Sequence, residues 1–197
     1  MAYPQPTDAA SAIQRMKDGN ANYVADTPVH PNQDQASRDK WLKTQEPWAV
    51  VLSCADSRVA PELAFDTGVG ELFVLRVAGN IANTSTLASI EYAVAHTNNV
   101  KVIVVMGHEA CGAVGAAMAK SVLPYSLNHL IAHIIPPMRL AEEAHGGKPT
   151  VQQVVEENAK YQAQELLDRS DIIRGAVDAG KVKIVTAYYN LKGEVTW

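Results

Sequence analysis

Cysteine is scarce in this chain of 197 residues, which contains only Cys54 and Cys111. Two cysteines allow one disulfide by arithmetic, but they exclude the disulfide framework that holds many small secreted domains together. The role of each cysteine must therefore follow from its local sequence.

Long apolar runs and an excess of positive charge are also absent. The longest apolar runs, residues 100–106 and 130–135, are far shorter than the roughly 18 to 20 residues that a membrane span needs. The net charge is -4 with scattered Lys and Arg, so no basic face marks a nucleic-acid partner. The first residues match neither a signal peptide nor a transit peptide. We therefore expect a cytoplasmic protein with neither a membrane nor a nucleic-acid partner.

What is present is an ordinary globular composition, with 47% hydrophobic and 19% charged residues. A chain of this length can bury one substantial core. The sequence shows no internal repeat and no interdomain linker. We therefore expect a single domain over residues 1–197.

Short, valine-rich apolar runs alternate with helical periodicity. Such runs are typical of buried strands, and a strand-helix-strand order favours a parallel sheet. The sequence predicts an α/β fold with a mostly parallel central β-sheet of about four strands, an antiparallel edge strand and flanking helices. The predicted strands are residues 48–53, 72–77, 100–106 and 182–189, followed by a terminal extended piece, with a helix over residues 84–96.

The remaining helices are predicted from apolar spacing, caps and breakers. A polar arm over residues 26–39 should lead to a short helix around Trp41 and Leu42. The other predicted helical segments are residues 8–24, 111–120, 126–144 with a break at Pro136 and Pro137, and 150 to about 178.

Three candidate metal ligands directly follow two of the predicted strands. Cys54 comes after the first strand, and His108 and Cys111 come after the third. Functional sites in open α/β sheets form at the carboxyl ends of strands. Thiolate and imidazole are ligands that zinc prefers, and three protein ligands leave a fourth position open, as in catalytic zinc sites. The sequence therefore predicts a catalytic zinc centre.

An acidic and a basic residue accompany the first ligand. Asp56 and Arg58 follow Cys54 at intervals of two, so in an extended chain all three side chains point the same way. Asp56 is positioned to accept a hydrogen bond from a zinc-bound hydroxide while Arg58 keeps it ionised and oriented. Alternatively, Asp56 itself occupies the fourth position on the metal.

Other interpretations of these residues are weaker. The two cysteines are not in the Cys-x-x-Cys arrangement of a redox pair. His129 and His133 stand four apart, but no Glu follows the first, so a metalloprotease pattern is missing. Arg76 at a strand end more often holds loops through backbone carbonyls than contacts substrate.

Two segments resemble the paired signatures of beta-class carbonic anhydrases. They are residues 53–59, SCADSRV, and residues 107–112, GHEACG. The intervening segments 65–70, 73–80 and 89–94 also look like those of the family. The resemblance covers nearly the whole chain.

The resemblance implies an enzyme that interconverts carbon dioxide and bicarbonate by attack of zinc-bound hydroxide, with one Zn²⁺ per chain. It also implies a homodimer or tetramer. Residues 1–46 would form a helical arm that packs on the partner, and residues 47–197 the zinc-binding α/β core.

The resemblance further implies a set of substrate contacts. Gln33 would bind substrate oxygen at the dimer interface, and Gly112 would offer its backbone N–H. Phe73, Ala78 and Tyr92 would line a narrow apolar channel.

One position departs from part of the family. Members with a regulatory bicarbonate pocket carry tryptophan three residues before the first zinc cysteine, where this chain has Val51. We therefore expect the open form, with water and not Asp56 on the zinc near neutral pH. Two rival functions are a hydrolase of carbonyl sulfide or carbon disulfide on the same scaffold, and a zinc protein without turnover.

Overall fold

A five-stranded sheet forms the centre of the computed structural model, which describes residues 3–120 and 122–197. Its strands are β1 (Ala49–Ser53), β2 (Leu72–Arg76), β3 (Val102–His108), β4 (Lys183–Tyr189) and β5 (Val195–Thr196). The strand order is β2-β1-β3-β4-β5, and β1 to β4 are parallel while β5 is antiparallel to β4. The predicted mostly parallel sheet with an antiparallel edge is confirmed.

Helices pack on both faces of the sheet. They are α1 (Ala9–Val24), α2 (Gln35–Lys40), α3 (Pro61–Ala64), α4 (Thr84–His96), α5 (Gly112–Met118), α6 (Tyr125–Ala132), α7 (Ile135–Ala144), α8 (Val151–Arg169) and α9 (Asp171–Asp178), with a 3₁₀ turn at Ala78–Asn80. None of the helices among the described residues has the length and apolar character needed to cross a membrane.

Two hydrophobic clusters hold the helices against the sheet. On one face, Met16 of α1 and Phe65 pack against alternate residues of β1 and β3. On the other face, Ile90 of α4, Leu166 of α8 and Ile173 of α9 pack against the remaining residues of these strands. Strands β1 and β3 are buried along their whole length, which explains why their sequences are almost entirely apolar.

The direction in which successive strands are added to the sheet reverses at β1. Along the chain, β1 is followed by β2 on one side and then by β3 on the other. The sheet therefore has a topological switch point between β1 and β3, and in open α/β sheets ligands bind at the carboxyl ends of the strands at such a point.

Three helix boundaries differ from the sequence prediction, and local capping explains two of them. The short helix predicted around Trp41 begins earlier, at Gln35, because Asp34 caps its start by accepting from the N–H of Ser37 at 2.9 Å, and it ends before Trp41. The long segment predicted from residue 150 to 178 is two helices, because Ser170 caps α9. The break predicted at Pro136 lies just before α7, since proline is tolerated in the first turn of a helix.

The close approach of α8 to β3 generates the first prediction. A Cβ atom on Gly107 of β3 would lie 2.5 Å from Cγ1 of Val155 on α8. Gly107→Ala should therefore destabilise the protein by about 1–3 kcal/mol, as overpacking does. Gly115→Ala on α5 is the matched control, because its Cβ would meet no atom within 4 Å, and we expect it to be neutral or stabilising. Denaturant unfolding measures both, and equal midpoints for the two variants would contradict the prediction.

Candidate metal centre

Three potential metal ligands meet at the carboxyl ends of β1 and β3. Cys54 directly follows β1, His108 ends β3, and Cys111 immediately precedes α5. Their ligand atoms lie within 4.8 Å of one another, and all three residues are buried. Among the residues described, this is the one such group of three or more His, Cys, Asp or Glu residues. The structure thus brings together the three ligands predicted from the sequence.

A tight turn after β3 places Cys111 beside His108. Ala110 adopts a left-handed conformation with φ of +54°, which is uncommon for a residue other than glycine. Glu109 holds the turn, because its carboxylate accepts a hydrogen bond from the N–H of Leu191 at 2.8 Å. The turn therefore depends on contacts with the segment after β4.

The His108 ring is oriented for binding through its Nε2 atom. Its Nδ1 atom lies 2.9 Å from the backbone oxygen of Glu109. Because a carbonyl oxygen only accepts, Nδ1 carries the proton, and Nε2 is left with a lone pair. Nε2 is buried and has no hydrogen-bond partner among the described residues. A buried nitrogen of this kind requires a partner, and a metal ion fits that need.

The pKa values of the two thiols are shifted in opposite directions. The hydrogen bond from the Cys111 thiol lowers the pKa of Cys54 well below its ordinary value, and the same bond raises the pKa of Cys111. Burial lowers the pKa of His108, but the nearby Cys54 thiolate outweighs it and raises that pKa. A divalent cation would let both sulfurs bind as thiolates. Two sulfurs and one imidazole nitrogen form a donor set that suits zinc.

Asp56 lies beside the three ligands and is held by Arg58. The guanidinium donates from Nε to Oδ1 at 2.9 Å and from Nη2 to Oδ2 at 2.8 Å. This bidentate contact holds the pKa of Asp56 well below its ordinary value. The contact has the geometry expected if Arg58 keeps Asp56 ionised and oriented, and the roles of both residues stay predictions.

The backbone at this pair differs from the extended chain assumed in the sequence analysis. Residues 57 and 58 form a turn, and the N–H of Arg58 donates to Oδ1 of Asp56 at 2.9 Å. Aspartate readily closes such a turn, because its short side chain accepts from the backbone two residues on. The two side chains therefore meet through the turn and not through strand alternation.

The Asp56 carboxylate lies outside the three-residue group. Its Oδ2 atom is 3.9 Å from Nε2 of His108, and both of its oxygens accept from Arg58. This arrangement favours an orienting role for Asp56. The alternative, in which Asp56 itself binds the metal, would require a carboxylate oxygen to move into the group.

Arg76 holds the loop that carries these residues. It donates to the backbone oxygen of Cys54 at 3.0 Å and to that of Asp56 at 2.6 Å. The expectation that Arg76 fixes loops through backbone carbonyls is confirmed.

The predicted substrate contacts are spread over five parts of the chain. Phe73 on β2 and Tyr92 on α4 have ring centroids 6.4 Å apart, and the Tyr92 side chain is exposed. Ala78 lies in the 3₁₀ turn, and Gly112 is the exposed first residue of α5. Gln33 lies in an exposed loop before α2. The substrate roles of these five residues stay predictions. The expectation that Gln33 lies at a dimer interface also stays a prediction.

The sequence analysis missed one contact to a candidate ligand. The backbone N–H of Gly79 donates to Sγ of Cys54 at 3.3 Å. The two residues are 25 positions apart, and neither periodicity nor spacing connects them. The only sequence feature that could have indicated this contact is the position of Gly79 shortly after the second strand.

The comparisons with known proteins agree with this geometry. The family model for carbonic anhydrase matches residues 49–195. The chain is 36% identical over 189 residues to carbonic anhydrase 2 of Mycobacterium tuberculosis, and this match covers 94% of the chain and 90% of the relative.

Solved structures show the same fold. The beta-carbonic anhydrase CcaA has a TM-score of 0.73 and 26% identity, with 93% of each chain covered. A tetrameric beta-carbonic anhydrase of Sordaria macrospora has a TM-score of 0.73 and 24% identity, with 89% of each chain covered.

The convergence of the three ligands predicts how metal content responds to substitution. Cys54→Ala and His108→Ala should each lose most of the bound zinc, because two ligands do not hold the ion in place of three. His129→Ala is the control, since His129 packs edge-on against His133 at 5.6 Å between ring centroids and lies outside the group. Elemental analysis of the purified variants measures zinc per chain. Full zinc content in Cys54→Ala would contradict the assignment.

Proposed function

Because this chain belongs to the beta-class carbonic anhydrase family, we propose that the enzyme reversibly hydrates carbon dioxide to bicarbonate and a proton, with one zinc ion per chain. The observation that carries the proposal is the buried convergence of Cys54, His108 and Cys111. The family match and the 36% identity to a curated carbonic anhydrase support it.

The ligand set supports a catalytic and not a structural metal. The described residues supply three ligand atoms to the group, whereas structural zinc sites use four protein ligands. When bound, zinc supplies a Lewis acid that makes water a nucleophile near neutral pH.

Asp56 and Arg58 have distinct roles in this proposal. Asp56 stays ionised, because Arg58 lowers its pKa, and an ionised carboxylate can only accept a hydrogen bond. Asp56 therefore accepts from the attacking water and orients its lone pair toward carbon dioxide. Arg58 positions Asp56 through two parallel hydrogen bonds, which restrict carboxylate rotation more than one does.

Val51 supports the open form of the site. Its side chain is fully buried in the core of the sheet, at the position where regulated members of the family carry tryptophan. We infer that water, and not Asp56, completes the site near neutral pH. The bidentate contact between Arg58 and Asp56 agrees with this form.

Self-association is part of the proposal. In the described part of the N-terminal arm, residues 3–46, three apolar side chains are exposed in the single chain, namely Val24, Val29 and Leu42. A partner subunit that covers this arm would bury them, since a dimer interface removes apolar surface from water. Carbon dioxide would then reach the metal along Phe73 and Tyr92, with Gln33 of the neighbouring subunit at the substrate. A cytoplasmic location likewise stays a proposal.

Stopped-flow assays separate this function from its rivals. The zinc-loaded protein should hydrate carbon dioxide rapidly and release little sulfide from carbonyl sulfide or carbon disulfide. Removal of zinc by a chelator should abolish hydration, and readdition should restore it. Sulfide release faster than hydration would favour the hydrolase, and neither reaction would favour a zinc protein without turnover.

Substitution of the orienting carboxylate tests its role separately from metal binding. Asp56→Asn should leave zinc in place but lower kcat about 10²-fold or more, because the amide can donate toward the water in place of accepting. Asp178→Asn at the end of α9 is the matched control, and we expect no change in kcat. An Asp56→Asn variant with parental kcat would refute the role of Asp56.

A further inference from the structure

Two buried amide side chains on α8 are connected to the candidate metal centre by hydrogen bonds. Asn158 is fully buried, and Gln162 is 1% exposed. Burying an amide is unfavourable unless its polar atoms are hydrogen-bonded. The contacts of these two residues therefore decide what they contribute.

Gln162 fixes the direction of the hydrogen bonds. Its Oε1 atom accepts from the N–H of Ala82 at 2.8 Å. Because a backbone N–H can only donate, the other atom of this amide is the NH₂ group. Nε2 donates to Oδ1 of Asn158 at 3.0 Å and to the backbone oxygen of His133 at 3.1 Å. The Asn158 amide therefore presents its own NH₂ group as a donor.

Asn158 uses that donor to hold the 3₁₀ turn. Its Nδ2 atom donates to the backbone oxygen of Gly79 at 2.9 Å. The N–H of the same glycine donates to Sγ of Cys54 at 3.3 Å. A continuous path of hydrogen bonds thus runs from α8 through Gly79 to a candidate metal ligand.

The turn that carries the Gly79 N–H has an irregular backbone. Gly79 has φ of +73° and Asn80 has φ of +43°, and glycine and asparagine are residue types that adopt this conformation readily. A Cβ on Gly79 would lie 2.6 Å from Cδ1 of Ile134, so the turn also packs closely against the start of α7. Asn158 provides a direct polar contact to this turn.

We propose that Asn158, oriented by Gln162, is a positioning residue that directs the Gly79 N–H at Cys54 and thereby tunes the bond between that sulfur and the metal. An N–H donor stabilises the negative charge of a thiolate and reduces the electron density that it gives to a metal. Contacts of this kind also hold a ligand ready for the ion. The inference rests on one part of the proposed function, namely that Cys54 binds a metal.

Asn158→Leu tests the proposal, since leucine has a similar shape but no donor. We expect metal affinity to fall about 10-fold or more, in the range typical for partners of metal ligands. In the cobalt-substituted protein, the sulfur-to-cobalt charge-transfer band should move to longer wavelength, because the thiolate becomes more electron-rich. Chelator competition and absorption spectroscopy measure the two effects.

A matched control separates this role from simple packing. Leu166 is also fully buried on α8 but belongs to the core of the sheet, so Leu166→Ala should lower the melting temperature without changing metal affinity or the band. If Asn158→Leu behaves in the same way, the proposal is wrong.

Two further measurements apply if Asn158→Leu does not fold. Gln162→Met keeps the approximate length of the side chain but removes its hydrogen bonds to Asn158 and Ala82, and we expect the same shift of the band to a smaller extent. In the unaltered protein loaded with cadmium-113, the Gly79 amide proton should show scalar coupling to the metal through the N–H···S bond. An unmoved band or an absent coupling would overturn the proposal. Failure of the unaltered protein to bind any of these metals would instead refute the proposed function.

Discussion

The parallel pairing of β1 with β3 is the constraint on which the site depends. Val51 pairs with Val104 and Leu52 with Val105, so the two strands end side by side and bring Cys54 close to His108. A shift of this register by one residue would exchange the faces of every side chain in one strand. Both faces of these strands are buried and packed against different helices, so the specific packing of the two hydrophobic clusters opposes such a shift. The packing of the core thereby sets the distance between Cys54 and His108.

The sequence predicts those parts of the site that local signals specify. Valine-rich runs predict β1 and β3, and the ligands directly follow them. The turn at Arg58, by contrast, depends on a side chain that competes with extended backbone by accepting from it. The bond from Gly79 to Cys54 and that from Asn158 to Gly79 join residues 25 and 79 positions apart. No periodic pattern records such contacts, because only the packed fold brings their elements together.

The exposed ion pair and the buried ligands differ in what they contribute. The side chain of Arg58 is 51% exposed and that of Asp56 is 17% exposed. A pair so open to solvent contributes little to the stability of the fold. Its bidentate geometry still fixes the direction of the carboxylate. We therefore interpret the pair as an orienting device at the mouth of the site, whereas the ligands are positioned by the sheet.

Irregular backbone flanks both sulfur ligands, and contacts from outside the loops hold it in place. Gly79, Asn80 and Ala110 all have positive φ, and an alanine retains this conformation only where its surroundings enforce it. The enforcing contacts come from Asn158 at the 3₁₀ turn and from Glu109 at the turn after β3. These contacts come from the protein itself and help to hold both sulfur ligands in position. A ligand held in this way loses less conformational entropy when it binds a metal.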